Sequence, residues 1–236
     1  MIDFSQVQYH YHQQNFTFDL QVEEGSIVAI LGPSGAGKST LLNLLTGFIT
    51  PSKGDIKIHG KSVLNRAPHQ RPLSILFQNN NLFSHLSAFD NIGLGLHPGL
   101  KLNEKHKRRL QTAALQVGVE DLLDRLPSQL SGGEQQRVAL ARCFVQHKPI
   151  LLLDEPFSAL DPVLRVSMLE HVKSLADSEG VTILMVTHHI GDARAVASDF
   201  IFVDQGKALA VDNIANLTTQ HANKRLRYFL SAEENQ

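Results

Sequence analysis

Three short stretches of the chain are apolar without interruption. "GSIVAILG" spans Gly25 to Gly32, "KPILLLDE" spans Lys148 to Glu155 and "VTILMVTHH" spans Val181 to His189. A strand with one wet face alternates apolar and polar residues, whereas a strand covered on both faces does not. The three runs therefore predict buried strands of a parallel sheet. Helical spacing fills the intervals. In "PVLRVSMLEHVKSLADSEG", Val163, Val166, Met168, Leu169, Val172 and Leu175 recur near a helical period, and Gly180 supplies the stop. Alternating strands and helices predict an α/β fold, whose ligands sit outside the carboxyl ends of the strands. Each apolar run ends in glycine, acidic or histidine residues, so three distant stretches point at one crevice.

Two regions depart from this pattern. Between about residues 7 and 58, "NFTFDLQV" and "GDIKIHG" alternate, as antiparallel strands do. From about residue 79 to 130 the chain reads as helical and more polar. There "NEKHKRRLQTAALQVGVEDLLDRL" is amphipathic, with Leu110, Ala114, Leu115 and Val117 on or near one face. This predicts a helical lobe inserted between the first and second core strands. The expected organisation is one domain over residues 1–236. Its core covers about 1–78 and 147–210, the lobe about 79–146, and a short tail about 211–236 with no regulatory domain.

Composition narrows the function. Hydrophobic residues make up 42% of the 236, enough for a sizeable core, and the net charge of −1 argues weakly against a sequence-independent nucleic-acid binder without excluding a local basic patch. The lone Cys143 cannot form an internal disulfide, which fits a reducing compartment. The start, "MIDFSQVQYH", lacks the pattern of a signal peptide, and no apolar run approaches the roughly 18 residues of a membrane-spanning helix. A cytosolic chain is expected, with any membrane supplied by another protein.

The strand ends carry the chemistry. "GPSGAGKST" (Gly32, Pro33, Ser34, Gly35, Ala36, Gly37, Lys38, Ser39, Thr40) follows a strand and opens a helix, "STLLNLLTGF". That context defines a phosphate-binding P-loop. Bare glycines let backbone N–H groups converge on phosphate oxygens, the helix adds its positive end, Lys38 adds a point charge, and the Ser39 hydroxyl can ligate Mg²⁺. "ILLLDE" adds Asp154 for Mg²⁺ and Glu155 to position or deprotonate water. "THHI" adds histidines that can bond a phosphate oxygen or brace the water. "HYH" and "HH" lack a third ligand at a defined spacing and do not read as metal sites.

A second stretch, "LSGGEQQRVALAR" from Leu130 to Arg142, also begins a helix with Ser131, Gly132 and Gly133. Ser131 and Glu134 have the spacing of a capping box. That box leaves the two glycines unexplained, since each costs roughly 0.5–1 kcal/mol against alanine in a helix. A ligand approaching the backbone would account for them.

Taken in order, the P-loop, "LSGGE", "ILLLDEP", "SALD" and "VTHH" resemble the ATP-binding subunit of ABC transporters across nearly the whole chain. The resemblance implies a P-loop NTPase fold: a RecA-like parallel-sheet core with an antiparallel β part and an inserted α-helical lobe. It implies ATP hydrolysis with ATP and Mg²⁺ as cofactors. Tyr11 then matches the aromatic that stacks on adenine, with Tyr9 as the competitor. Gln78 matches the glutamine that contacts Mg²⁺ and the water and links core to lobe. Glu155 matches the catalytic glutamate, His188 the histidine at the γ-phosphate, and Asp161 a loop that communicates across a dimer. Ser131, Gly132 and Gly133 match the signature that covers the ATP of a second copy paired head to tail. Two positions depart from the usual pattern: Glu134 replaces glutamine, and His189 replaces an acid.

Within that family, "FQNNNLFSHL" and "NIGLGLHPGLKLN" resemble the ATPases of bacterial thiamine importers. The implied partners are a second copy of the chain, an integral-membrane permease and a periplasmic thiamine-binding protein, with the chain on the cytoplasmic face of the inner membrane. Phe83, Leu86, Phe89 and Ile92 could line a groove for a permease helix or simply form the lobe core. Importers of ferric iron or polyamine would share every catalytic residue. A non-transport ABC ATPase usually carries long coiled coils, zinc-type cysteine pairs or tandem cassettes, none of which is present in this sequence. Kinase-like phosphotransfer would leave the signature unexplained.

Overall fold

The protein's computed structural model describes residues 1–78 and 81–233. Asn79 and Asn80, where the lobe was expected to begin, and residues 234–236 of the acidic tail lie outside the described residues.

The strands are β1 (Ile2–Tyr11), β2 (Gln14–Val22), β3 (Ile27–Leu31), β4 (Lys53–Ile58), β5 (Lys61–Ser62), β6 (Leu73–Leu76), β7 (Ile150–Asp154), β8 (Thr182–Val186), β9 (Asp199–Asp204) and β10 (Lys207–Asn213). Among the described residues they form one sheet in the order β5-β4-β1-β2-β10-β9-β3-β8-β7-β6. The apolar runs are β3, β7 and β8, which pair in parallel with one another and with β9 and β6. Their unbroken hydrophobicity follows from burial on both faces. On β3, Ile27, Ala29 and Leu31 join one hydrophobic cluster, and Val28 and Ile30 join another. The alternating stretches belong to β2 and β4, in the antiparallel part built with β1 and β5.

One face carries α1 (Lys38–Thr46), which buries Leu41, Leu42, Leu44 and Leu45. The helices α2 (Ala88–Gly93), α3 (Glu104–Gln116), α4 (Gly132–Phe144), α5 (Pro162–Glu179), α6 (Ile190–Val196) and α7 (Lys224–Glu233) contribute to the other cluster. Ile92, Leu110 and Val138 join the lobe helices α2, α3 and α4. The fold is that of an α/β P-loop NTPase, as the resemblance implied.

Three details differ from the sequence expectation. "LSIL" forms β6 beside β7, so the lobe enters after the second parallel core strand, not the first. Leu115 is 65% exposed, while its neighbours Ala113 and Ala114 are buried in its place. Val163 and Val166 are also exposed, because the buried face of α5 begins only at Met168.

Arg71 fixes the far end of α1. Its buried guanidinium donates from Nη1 to the Leu44 and Leu45 carbonyls at 2.9 and 2.7 Å. These carbonyls lie in the last turn, at the helix's negative end, where intrahelical donors run short. Burial pushes the Arg71 pKa down, and the carbonyls offset that cost. Gly47 caps the helix with φ 82°, and a Cβ there would lie 2.5 Å from the Arg71 Cζ. Arg71→Ala takes this donor from the Leu45 carbonyl and leaves the Leu44 carbonyl with the Gly47 N–H at 3.3 Å, and it is expected to lower stability by about 2–4 kcal/mol, read from urea unfolding.

Candidate active site

The loop between β3 and α1 holds three glycines with positive φ, each for a different reason. Gly32 (φ 143°) lies so close to β9 that a Cβ would meet the Val203 carbonyl oxygen at 2.0 Å. Gly37 (φ 108°) lies under the Phe16 ring, 2.9 Å from where a Cβ would sit. Gly35 (φ 75°) has no neighbour within 4 Å of such an atom, so its backbone conformation alone calls for glycine. Gly37 is also the N-cap of α1 and provides no side-chain cap. The first N–H groups of α1 are therefore left for a ligand, which makes the helix end an anion site.

Lys38 folds back over this loop. Its Nζ donates to the Gly32 carbonyl at 2.7 Å and to the Pro33 carbonyl at 2.9 Å. Burial lowers its pKa, and the charges of Glu155 and Asp154 oppose that shift. Next to it, the Ser39 hydroxyl donates to Asp154 Oδ2 at 3.2 Å. Asp154 is raised above the usual carboxylate range, chiefly by burial, with the Ser39 hydrogen bond acting against it. A hydroxyl and a carboxylate side by side at the phosphate loop are a hard-oxygen donor set that fits Mg²⁺.

Glu155 follows directly. Its N–H donates to the Val186 carbonyl at 3.0 Å, and its φ is 51°, a left-handed conformation rare for this residue type. The turn carries its carboxylate to two groups from other strand ends. Gln78, beyond β6, donates from Nε2 to Oε2 at 3.2 Å. His188, beyond β8, lies with Nδ1 3.7 Å from Oε1. The ends of β6, β7 and β8 thus converge on one carboxylate.

These groups line a cleft of about 550 Å³ with Tyr9, Tyr11, Ser34, Gly35, Gly37, Lys38, Ser39, Thr40, Gln78, Asp154 and Glu155. Tyr9 leans on Phe16 at 6.1 Å between centroids, whereas Tyr11 is 56% exposed and meets His12 edge-on at 4.4 Å. The more exposed ring fits a stacking platform better. Sequence reasoning missed Phe16, Asn43 and Ile49 in the same wall. The alternation of "NFTF" was the available sign that Phe16 points inward.

Other candidates lie outside this cleft. Ala36 is buried, Gly32 packs on β9, and Pro33 lines a neighbouring cavity with α7. The His188 ring stacks on His189 with centroids 4.2 Å apart. His189 has a pKa lowered by burial and then by the charges of Arg165 and His188. Asp161 caps α5, accepting the Val163 and Leu164 N–H groups at 3.1 and 3.0 Å. Ser131, Gly132 and Gly133 are also absent from the cleft wall.

The capping box at the start of α4 is complete. Ser131 Oγ accepts the Glu134 N–H at 3.3 Å, and Glu134 Oε2 accepts the Ser131 N–H at 2.6 Å. These bonds, the backbone one first, lower the Glu134 pKa. Its carboxylate is thus occupied by its own helix end. The two glycines part company here. A Cβ on Gly132 would meet nothing within 4 Å, so its surface is open to a ligand. A Cβ on Gly133 would lie 3.2 Å from the Ala159 carbonyl oxygen, so internal packing also favours a bare residue there.

Comparison with known proteins places these features in context. The ABC transporter family model matches residues 16–158. The thiamine import ATP-binding protein ThiQ of Aliivibrio fischeri is 60% identical over 232 residues, covering 98% of this chain and 99% of that protein. ThiQ of Vibrio cholerae is 57% identical over 236 residues, covering 100% and 99%. Among solved structures, the dimeric ATP-binding cassette MJ0796, in a post-hydrolysis state bound to ADP and Pi, superposes with a TM-score of 0.82 at 29% identity, covering 91% of this chain and 99% of that one.

Proposed function

This chain belongs to the ABC transporter family, and on that footing we propose that it hydrolyses ATP to energise import of thiamine and its phosphates. The observation that carries the reading is the convergence of Lys38, the Ser39–Asp154 pair, Glu155 and Gln78 in one cleft beside the uncapped end of α1. The cleft-lining part of the loop, Ser34, Gly35 and Gly37 to Thr40, receives the phosphates, with Lys38 exchanging its loop carbonyls for phosphate oxygens. Tyr11 stacks on adenine. Ser39, Asp154 and Gln78 would hold Mg²⁺, which when bound would offset charge on the phosphate oxygens. Glu155 accepts a hydrogen bond, and then a proton, from the attacking water. Gln78 orients Glu155 and the water, and His188 steadies the γ-phosphate from the other side.

Ser131, Gly132 and Gly133 do not reach the chain's own cleft, which supports a site completed by a second copy. In a head-to-tail pair each signature covers the nucleotide bound by the other copy, and Asp161 lies at the contact. The dimeric state of MJ0796 supports this arrangement. Phe83 is 49% exposed and Leu86 half-buried, which leaves both open to a permease helix and supports a docking role for them, whereas Ile92 is fully buried lobe core. No helix among the described residues is long and apolar enough to cross a membrane. The proposed setting is the cytoplasmic face of the inner membrane, with an integral-membrane permease and a periplasmic thiamine-binding protein as partners, and no nucleic acid.

Radiolabelled thiamine uptake tests the reading. Cells lacking the chain are expected to lose uptake at low external thiamine and to regain it with the wild-type protein. Loss of ferric iron or polyamine uptake with intact thiamine uptake would reassign the solute.

A further inference from the structure

The catalytic turn is gripped by a side chain to which the reading above gives no role. Gln136 lies in α4, one helical turn beyond Gly133, and is 3% exposed. Its Nε2 donates to the backbone carbonyl of Glu155 at 3.2 Å, and its Oε1 accepts the Ala159 N–H at 3.3 Å. Residues three apart share a helix face. On this face the bare Gly133 admits the Ala159 carbonyl, and Gln136 catches the same residue's N–H. The helix that begins with the signature thus packs close to the Ala159 carbonyl and hydrogen-bonds the Ala159 N–H and the Glu155 carbonyl.

Glu155 needs such support. A left-handed φ of 51° is costly for a residue with a side chain and persists only where neighbours over-determine it. The Glu155 carbonyl also accepts the Ser158 hydroxyl at 3.2 Å, which is local to the turn. Gln136 adds a tie to a different element, in the lobe.

We propose that Gln136 is a positioning residue that sets the Glu155 carboxylate by locking its turn to α4, so that the pose of the lobe is felt at the attacking water. This inference rests on the proposed role of Glu155. The bond to the Glu155 carbonyl fixes the backbone conformation from which the carboxylate projects toward Gln78. The bond to Ala159 fixes the segment leading to Asp161. A signature helix displaced by a second copy's nucleotide would pull on both. Gln136 touches no substrate atom, so its removal affects the chemical step more than nucleotide binding.

Two variants test this. Gln136→Met removes both hydrogen bonds at similar volume. Gln136→Glu retains an acceptor for Ala159 and removes the donor to Glu155, and it serves if the first variant folds poorly. Single-turnover hydrolysis, binding of a fluorescent ATP analogue and thermal unfolding are measured for each. Val138→Ala, a buried change on the same helix, provides the stability control, and Glu155→Gln is measured alongside. The expected result is a fall in turnover of about 10–100-fold, with analogue affinity unchanged and a turnover loss well beyond that of Val138→Ala at a matched Tm. Turnover within about twofold of wild type, or a loss that only tracks Tm as in the control, overturns the proposal. Normal Gln136→Met turnover with an inactive Glu155→Gln removes this inference alone. An active Glu155→Gln removes the role of Glu155, and Gln136 then has no carboxylate to position.

Discussion

Replacing Glu155 with glutamine is expected to cut ATP turnover by about 10²–10⁴-fold while leaving ATP binding intact. The size corresponds to about 3–5 kcal/mol of transition-state stabilisation. The amide keeps the shape of the carboxylate and an oxygen to accept from Gln78, now 3.2 Å away. It cannot take a proton from water. The change also removes a negative charge from a cleft that receives phosphates. Glu155 helps to raise Asp154 above its usual range, so its neutralisation makes Asp154 easier to ionise. Glu155 also helps to keep Lys38 protonated against burial, and that support is lost. These electrostatic effects oppose each other at the phosphates, so binding is expected to survive the change. Single-turnover hydrolysis beside equilibrium binding checks this, and near-normal turnover would assign the base elsewhere.

Lys38→Ala carries the second large effect, on binding. The ammonium rests on the Gly32 and Pro33 carbonyls at 2.7 and 2.9 Å, poised at the end of the phosphate loop. A unit charge pair at 4 Å is worth about 4 kcal/mol at the effective dielectric of a protein surface. The exchange of carbonyls for phosphate oxygens recovers part of that. ATP affinity is therefore expected to fall by about 10²-fold or more, and hydrolysis at cellular ATP to disappear. Isothermal titration with MgATP measures it. Unchanged affinity would mean that the backbone N–H groups of the loop carry the binding without Lys38.

The parts legible in the sequence were those whose cause is local. β3, β7 and β8 announced themselves because burial on both faces removes polar residues from the run. The phosphate loop was legible because its glycines, lysine and serine act within one turn of chain. The β9–β10 hairpin was missed because its turn is formed by Gln205 (φ 49°) and Gly206 (φ 76°). Two successive positive φ values suit a tight hairpin, but asparagine or aspartate is the usual first residue, so the pair gave little signal. β6 was missed because "LSIL" is too short to show a period. Val163 and Val166 looked like core because periodicity reports a face and not where along the helix burial begins.

In the candidate site, identity was legible and mutual geometry was not. Asp154 and Glu155 are adjacent in sequence, yet one faces Ser39 and the other faces Gln78 and His188. The left-handed turn at Glu155 separates them, and no residue type there signals it. Gln136 and Arg71 act on backbone carbonyls 19 and 26 or 27 residues away, contacts that no spacing rule reports. Gly133 carries a second demand that the sequence did not report, since a Cβ there would lie 3.2 Å from the Ala159 carbonyl oxygen.

The central claim is that two copies complete one another's nucleotide sites. The most direct test is the mass of Glu155→Gln by light scattering, with and without MgATP. The account predicts a monomer of 26.1 kDa without nucleotide and a doubled mass with MgATP, lost again when Ser131→Arg is added. A mass that stays at 26.1 kDa with saturating MgATP, together with wild-type hydrolysis strictly linear in protein concentration, would contradict it.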